Sequence, residues 1–339
     1  MSENVFVSGS TGLLGSHLLA ELLKRECSIQ AMYRSPKSIE EVKEIIDHYA
    51  LSSQWDRIKW VKADVLDVDR LQELMEGVDQ VYHCAALVSF DPSDAARLQK
   101  INVEGTQNML NAAMIKKVKS FLHVSSTAAI GKGNPKDICT EENEWDNSDE
   151  ISDYSKSKFS SEREVWRAQE EGLETIIVNP CVIIGPGDPE KSSGTLFSTM
   201  SSGLKFYTEG GNAFVDARDV ADIMVQLMNS NIRNERFLCI GENLKFREVF
   251  NMIADEMGVR RPYIKANAFM TGLVWRLMKI MSILTAKAPK ITSESAASSH
   301  RTVLFSNDKV KDYLQYNFIN IEDAIKNSVA FMKATQRLK

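Results

Sequence analysis

The sequence lacks paired cysteines, clustered histidines and long apolar runs. Its five cysteines are scattered among 339 residues with no Cys-x-x-Cys spacing, which excludes a disulfide framework and a zinc ribbon. The five histidines are also dispersed, and none shows the spacing of metal ligands. No uncharged apolar run reaches about 18 residues, so the sequence predicts no membrane-spanning helix.

The sequence also lacks a strong charge of either sign. There are 41 Lys and Arg against 46 Asp and Glu, a net charge of −5, and no basic cluster that would indicate nucleic-acid binding. The same acidic balance argues against membrane contact. The first residues lead directly into a strand pattern without a signal peptide, so we expect a cytoplasmic protein. A hydrophobic share of 43% is ample for a globular core.

Short β-branched runs alternate with helix-periodic stretches over the first two-thirds of the chain. This alternation predicts an α/β fold with a doubly wound parallel sheet. The predicted strands are Asn4–Ser8, Ser28–Tyr33, Ile58–Lys62, Gln80–Cys84, Ser120–Ser125, Thr175–Asn179 and Arg236–Ile240, and the predicted helices are 13–26, 38–50, 69–76, 97–116 and 155–171.

The alternation stops after Pro180, where a Gly-Pro-Gly-Asp-Pro stretch at 185–189 indicates a loop. We therefore predict two domains. The sheet domain comprises 1–180 and about 214–242. A smaller, mostly helical substrate domain comprises about 181–213 and 243–339.

A glycine-rich turn follows the first predicted strand and opens a helix. Gly9 permits the tight turn, Gly12 lets the backbone approach a pyrophosphate, and Gly15 lets the helix pack against the strand. The helix N-terminus then presents unpaired N–H groups to phosphate. The pattern predicts a dinucleotide site in this context. The other residues of the turn expected to contact the cofactor are Ser10, Thr11, Leu13 and Leu14.

The residues after the second strand discriminate between the two nicotinamide cofactors. An acid there would bind the ribose 2′-hydroxyl of NAD, whereas this chain has Arg34, followed by Ser35 and Lys37. Arg34 can pair with a 2′-phosphate and stack on adenine, so the pattern favours NADP over NAD. Asp64, before Val65, could accept from the adenine amino group or cap a turn.

Tyr154 and Lys158 lie four residues apart on a predicted helix and therefore share one face. A neighbouring ammonium lowers a phenol pKa toward the range useful for catalysis. An earlier strand ends in Ser125 and Ser126, at the sheet edge where ligands bind. A serine hydroxyl there could hold a substrate oxygen.

These motifs resemble the extended short-chain dehydrogenase/reductases, in the NAD-dependent epimerase/dehydratase family. The resemblance covers residues 4 to about 225. It rests on the glycine turn, Asp64-Val65, Cys84-Ala85-Ala86, Asn102-Val103-Glu104-Gly105-Thr106, Val124-Ser125-Ser126, Tyr154-x-x-x-Lys158, and Asn179-Pro180 before Gly185-Pro186-Gly187-Asp188.

The resemblance implies a Rossmann fold and a set of site residues. It implies that Ser126, Tyr154 and Lys158 are catalytic, with Ser126 preferred over Ser125 because it stands five residues before Gly131. It implies that Asn102 supports the site and that Lys158 also reaches the nicotinamide ribose. The residues implied to line the cofactor site are Ala85, Ala86, Pro180, Val182 and Ile183. Homodimerisation through 97–116 and the Tyr154 helix is also implied.

Within the family, the chain is similar to dihydroflavonol-4-reductase-like and 3β-hydroxysteroid-dehydrogenase-like members, on segments 179–188 and 210–220. Thr127-Ala128-Ala129 replaces the acid pair of sugar dehydratases. The favoured hypothesis is an NADP-dependent reductase, or alcohol dehydrogenase, for a small and apolar substrate. Two alternatives stay open: a nucleotide-sugar epimerase, and a cofactor-sensing Rossmann module without chemistry.

The stretch 268–286 is unusually apolar for a helix outside the predicted sheet domain. Phe269, Leu273, Leu277, Ile280 and Leu284 recur at helical spacing, and methionines and Trp275 widen the apolar surface. The first interpretation is a helix buried between the small domain and the sheet. The second is a cap over an apolar substrate. The third is shallow membrane-surface contact, which the net negative charge makes the weakest.

Overall fold

The computed structural model describes residues 3–131, 138–145, 151–285 and 293–338, without the side chains of 279–285 and 293–295. Its centre is a seven-stranded, all-parallel sheet in the order β3-β2-β1-β4-β5-β7-β11. The order reverses beside β1, which is the arrangement of a doubly wound sheet. The predicted fold class is confirmed.

The strands and helices follow the predicted order closely through the first two-thirds of the chain. The strands are β1 (Glu3–Ser8), β2 (Cys27–Tyr33), β3 (Ile58–Lys62), β4 (Gln80–His83), β5 (Ser120–Val124), β6 (Ile138–Cys139), β7 (Glu174–Pro180), β8 (Val182–Ile184), β9 (Phe206–Tyr207), β10 (Gly211–Asp216), β11 (Glu235–Cys239), β12 (Glu242–Lys245), β13 (Ile264–Lys265) and β14 (Leu304–Phe305). The helices are α1 (Leu13–Leu23), α2 (Lys37–His48), α3 (Val68–Leu74), α4 (Ala95–Leu98), α5 (Gly105–Ile115), α6 (Asp153–Glu170), α7 (Thr195–Ser201), α8 (Ala217–Asn229), α9 (Phe246–Met257), α10 (Ala268–Thr285), α11 (Ser293–Ser298), α12 (Asp308–Leu314) and α13 (Ile321–Ala334).

Two apolar layers cover the sheet, one on each face. On one face α1 and α8 pack together over residues such as Val7 and Val178. On the other face α3, α5 and α6 cover residues such as Phe6 and Phe121. Because both faces are covered, the central strands are apolar on both sides rather than alternating.

A second sheet, β8-β10-β12, extends from the carboxyl end of the central sheet. It packs with α7, α9 and α13 around a separate apolar core. Neither β10 nor β12 was predicted from the sequence: the Ser- and Gly-rich stretch to about 213 indicated no strand, and the last predicted strand ended at Ile240. The two-domain division itself stays a prediction.

The predicted helix over 97–116 is interrupted. A π-helical turn at Gln99–Glu104 lies between α4 and α5. Single π turns inside helices often occur at functional sites, and this one carries Asn102. Across the described residues, no helix is both long and apolar enough to cross a membrane.

Candidate active site

The glycine turn is held by close backbone packing. Gly9 has φ +64°, and a Cβ there would lie 2.5 Å from the Ala85 nitrogen. A Cβ on Gly15 would lie 2.1 Å from the Gly9 carbonyl oxygen. Both positions therefore require glycine for the fold itself. The buried Ser10 hydroxyl donates to the Met32 carbonyl at 2.7 Å, which ties the turn to β2 and turns this hydroxyl away from the surface.

Gly12 differs from its two partners. A Cβ there would meet only the Gly9 carbonyl oxygen, at 3.3 Å, so the protein does not fill the space beside it. No side chain of the described residues caps the N-terminus of α1. A cavity of about 100 Å³ opens here, with Thr11, Gly12 and Leu13 among its lining residues. The open cradle and uncapped helix end fit a dinucleotide pyrophosphate.

Arg34 and Lys37 follow β2 and are both exposed. Within the ranges that the structure describes, neither side chain forms an ion pair. At the end of β3, one oxygen of Asp64 accepts from the Leu66 N–H at 3.0 Å. Asp64 therefore caps a turn, which is one of the two roles predicted for it. Its second carboxylate oxygen takes no part in that hydrogen bond.

Ser126 and Tyr154 come together from β5 and α6. Ser126 follows the end of β5, and its Oγ accepts from the Ala128 N–H at 3.1 Å. Tyr154 is the second residue of α6, whose N-terminus is capped by Ser152. Burial raises the pKa of Tyr154, and a hydrogen bond with Ser126 opposes that rise. The neighbouring Ser125 is buried.

Lys158 lies one turn further along α6 and is only 2% exposed. Its Nζ donates to the Val124 carbonyl oxygen at 2.8 Å. Burial lowers the pKa of Lys158 to about 8, although Glu162 opposes this shift. In this structure desolvation raises the pKa of the Tyr154 phenol. The lowering of that pKa by Lys158 stays a prediction.

A network of buried polar side chains, which was not predicted from the sequence, supports the loop of Ser126. Glu162 is fully buried; one of its oxygens accepts from Asn179 Nδ2 at 2.5 Å and the other from Arg236 at 3.1 Å. The same Asn179 nitrogen donates to the Ser126 carbonyl at 2.9 Å. Glu162 thus connects α6 to the loop of Ser126. Its spacing of four from Lys158 was the available signal.

Asn102 fixes a loop rather than facing open space. Its Oδ1 accepts from the Leu87 N–H at 2.7 Å, and its Nδ2 donates to the Leu87 carbonyl at 2.9 Å and to Ser157 Oγ at 3.0 Å. This residue therefore links the chain after β4 to α6. The supporting position that the resemblance implied for it agrees with this geometry.

The other predicted cofactor residues lie at the carboxyl edge of the sheet. Ala85 and Ala86 follow β4, with Ala86 exposed. Pro180 ends β7, and Val182 and Ile183 begin β8 and are partly buried. Because β1, β4, β5 and β7 are parallel neighbours, their carboxyl ends share one edge with the glycine turn.

Comparison with known proteins agrees with this geometry. A family profile described as the NAD dependent epimerase/dehydratase family matches residues 5–241. The chain is 30% identical over 258 residues to sterol demethylase protein B of Methylococcus capsulatus, covering 76% of this chain and 75% of that one. It is 24% identical to a putative dihydroflavonol 4-reductase of Synechocystis, covering 97% and 94%. The crystal structure of gox2253 superposes with a TM-score of 0.82 at 27% identity, covering both chains fully.

The chain belongs to the NAD-dependent epimerase/dehydratase family. It is an NAD(P)-dependent enzyme of the extended short-chain dehydrogenase/reductase type. Two solved structures of similar fold contain small molecules: the UDP-glucuronic acid 4-epimerase of Bacillus cereus is in complex with NAD, and the UDP-glucose 4-epimerase of Thermotoga maritima is with UDP-glucose. A small-molecule partner for this chain stays a prediction.

In this dehydrogenase/reductase, an apolar ring packs beside Tyr154. The Phe90 ring packs edge-on against the Tyr154 ring, with 5.5 Å between centroids. Phe90 is 45% exposed and Val88 is 53% exposed. Both belong to the loop that Asn102 anchors at Leu87. Sequence analysis did not single them out, because no motif marks a loop side chain that reaches a tyrosine 64 residues later.

The interpretation of 268–286 as a buried helix is wrong for its first turns. Phe269 is 81% exposed, Leu273 52% and Leu277 53%, and Val274 is also exposed. Helix α10 packs mainly against α11. The side chains of Ile280, Met281 and Leu284 lie outside the described residues.

Proposed function

We propose that this enzyme is an NADP-dependent carbonyl reductase, and alcohol dehydrogenase in reverse, for a small apolar substrate. The observation that carries the proposal is the geometry at Tyr154, a buried residue with Ser126 beside it and with the exposed ring of Phe90 packed edge-on against its own ring. The site thus offers a proton donor, a second hydroxyl and an apolar wall at one place.

The cofactor would lie along the carboxyl edge of the sheet. Gly12 and the uncapped start of α1 would hold its pyrophosphate, and the exposed Arg34 with Lys37 would pair with a 2′-phosphate. NADPH, when bound, supplies the hydride.

The residues of this chain supply position and the proton. Ser126 would donate a hydrogen bond to the carbonyl oxygen and so fix its direction. Tyr154 would give its phenolic proton to that oxygen, producing the alcohol, and would regain a proton from solvent. Burial keeps the phenol protonated at neutral pH, which suits reduction. In the reverse direction the phenol must first lose its proton, so oxidation should need higher pH.

The apolar wall favours a hydrophobic ketone or aldehyde over a nucleotide-sugar. The Phe90 ring beside Tyr154 offers no hydrogen bond to a sugar hydroxyl, whereas it can contact an aliphatic or aromatic ring. The names of two relatives agree with this class, one referring to a sterol and one to a dihydroflavonol. An epimerase would use the same Ser126, Tyr154 and Lys158, so the distinction rests on substrate and cofactor.

Substrate and cofactor turnover tests the proposal. The purified enzyme is incubated with NADPH or NADH and a series of ketones and aldehydes of increasing hydrophobicity, and in parallel with nucleotide-sugars. We expect NADPH consumption with apolar carbonyl compounds and a rise in KM for Phe90→Asn, with Tyr154→Phe inactive. Tightly retained NAD together with nucleotide-sugar epimerisation would overturn the reductase assignment.

A further inference from the structure

The first half of α10 presents an apolar face to solvent. Phe269, Leu273 and Leu277 recur every four residues and Val274 lies beside them, so the four side chains share one side of the helix. Their exposed fractions run from 38% to 81%. A soluble helix normally turns such a stripe toward a core.

The concentration of these residues distinguishes them from ordinary surface hydrophobics. Elsewhere in the described chain, exposed large apolar side chains stand alone, as Val68, Ile115 and Tyr313 do, or in pairs such as Val88 with Phe90 and Ile138 with Leu304. Single exposed apolar residues need no explanation, whereas a contiguous apolar patch marks an interaction surface.

The stretch of sequence that contains this face has charged residues of one sign only. From Met257 to Ser293 there is no Asp or Glu, in a chain whose net charge is −5. Seven basic residues occupy the same stretch: Arg260, Arg261, Lys265, Arg276, Lys279, Lys287 and Lys290.

Acids from other elements pair with only part of this charge. Arg261 pairs with Asp255 at 2.5 Å, and Lys265 lies 3.4 Å from Glu209. Arg276, on α10 itself, packs over the Trp275 ring and donates to the Gly272 carbonyl at 2.9 Å. Its positive charge therefore stays beside the apolar face with no carboxylate partner among the described residues.

We infer that this face of α10 docks on the surface of an anionic lipid bilayer. Phe269, Leu273, Val274 and Leu277 would enter the boundary between headgroups and acyl chains, and Arg276 would extend to the headgroup phosphates. The contact is peripheral, with the helix lying in the plane of the surface. The inference goes beyond the proposed reductase activity and does not depend on it.

The net charge of the chain does not oppose this contact. Electrostatic attraction to a bilayer decays over a Debye length of about 8 Å at physiological ionic strength. A surface therefore interacts with the charges close to the contact, such as Arg276 on α10, more strongly than with the net charge of the whole chain.

Vesicle flotation of the full chain tests the inference. The probe is phosphatidylcholine vesicles with and without phosphatidylglycerol. We expect binding to the anionic vesicles, reduced more than about tenfold by the triple variant Phe269→Ser, Leu273→Ser, Leu277→Ser, because the inserted apolar area is lost. Arg276→Ala should weaken binding to the anionic vesicles about fivefold. Added salt should weaken it further.

A matched control separates this face from general surface hydrophobicity. The variant Val68→Ser, Ile115→Ser, Tyr313→Ser removes three exposed apolar side chains from other elements and should bind vesicles like the wild type. Circular dichroism verifies that both triple variants fold. Equal binding by both triple variants, or no preference for anionic vesicles, would overturn the inference. So would a dimer that light scattering detects in the wild type and not in the α10 variant, since a second copy would then cover the face.

Discussion

Helices α6 and α10 are both 18 residues long. In each of them, part of the surface is buried or exposed in the opposite way from what the polarity of its side chains would favour. On α6 the polar residues Tyr154, Ser157, Lys158 and Glu162 are buried. On α10 the apolar residues Phe269, Leu273 and Leu277 are exposed. The two helices differ in what they contact. The buried polar residues of α6 form hydrogen bonds with groups at the edge of the sheet, whereas the exposed face of α10 has no apolar surface opposite it among the described residues.

The burial of polar groups on α6 is tolerated because hydrogen bonds replace water. Lys158 reaches the Val124 carbonyl, Ser157 accepts from Asn102, and Glu162 accepts from Asn179 and Arg236. A buried polar group without such a partner costs about 1–3 kcal/mol. The network therefore both permits the burial and holds the helix face in one orientation. In each helix, the residues with this unusual burial or exposure are the ones to which we assign a function.

The largest expected effect is on catalysis by the buried face of α6. Tyr154→Phe should lower the rate of carbonyl reduction by about 10²–10⁴-fold, because the proton donor is removed. NADPH affinity and the melting temperature should change little. The matched control is Tyr313→Phe, at an exposed tyrosine, which should retain activity. Comparable rates for the two variants would show that Tyr154 is not the donor.

The burial of the Lys158 ammonium should be detectable in the way the free energy of unfolding changes with pH. Its folded pKa of about 8 lies below the ordinary lysine value of 10.5. Between these values the unfolded chain binds more protons, so the free energy of unfolding rises with pH. From pH 8 to 10 we expect a rise of about 2–3 kcal/mol from this group. Lys158→Met should abolish that rise and, through loss of the ammonium, activity as well.

Urea unfolding of wild type and variant across this pH range measures the difference. Reduction by the wild type should also decline as pH rises through about 8, as Lys158 loses its charge. Parallel stability curves for the two proteins would contradict a desolvated Lys158.

Arg34 is an exposed charge for which we propose a binding role, just as we propose one for the exposed apolar face of α10. A substitution of Arg34 tests whether it binds the cofactor. Arg34→Asp should weaken NADPH binding about tenfold or more and spare NADH, because a charge-assisted phosphate contact becomes a repulsion. Fluorescence titration with both cofactors measures this. Arg70→Asp, at another exposed arginine, is the control, and an unchanged cofactor preference in Arg34→Asp would make Arg34 an ordinary surface residue.

The smallest effects compare apolar truncations on the two helices. Val165→Ala on α6 removes a fully buried side chain and should cost about 0.5–3 kcal/mol of unfolding free energy. Leu273→Ala on α10 should change it by less than about 0.5 kcal/mol. Equal losses would mean that the α10 face is covered by protein in solution.

Local patterns were sufficient for the sheet and the glycine turn. The predicted strands of the central sheet agree with β1–β5, β7 and β11 to within one residue at every end, because runs of apolar residues buried on both faces are distinctive. Gly9 and Gly15 could be found because each is required by its own backbone geometry. The short strands β10 and β12 could not, since the pairing that creates them comes from distant parts of the chain.

The sequence by itself determined the family, the parallel sheet and the positions of Ser126, Tyr154 and Lys158, because these depend on spacing within short segments. Only the tertiary structure decided the electrostatics and the exposure. The pKa of Tyr154 rises because desolvation outweighs its neighbours, and desolvation depends on everything that packs around a group. Phe90 meets Tyr154, Glu162 meets Arg236, and Phe269 meets no core, because contact and burial depend on residues far apart in the chain, which local periodicity does not record.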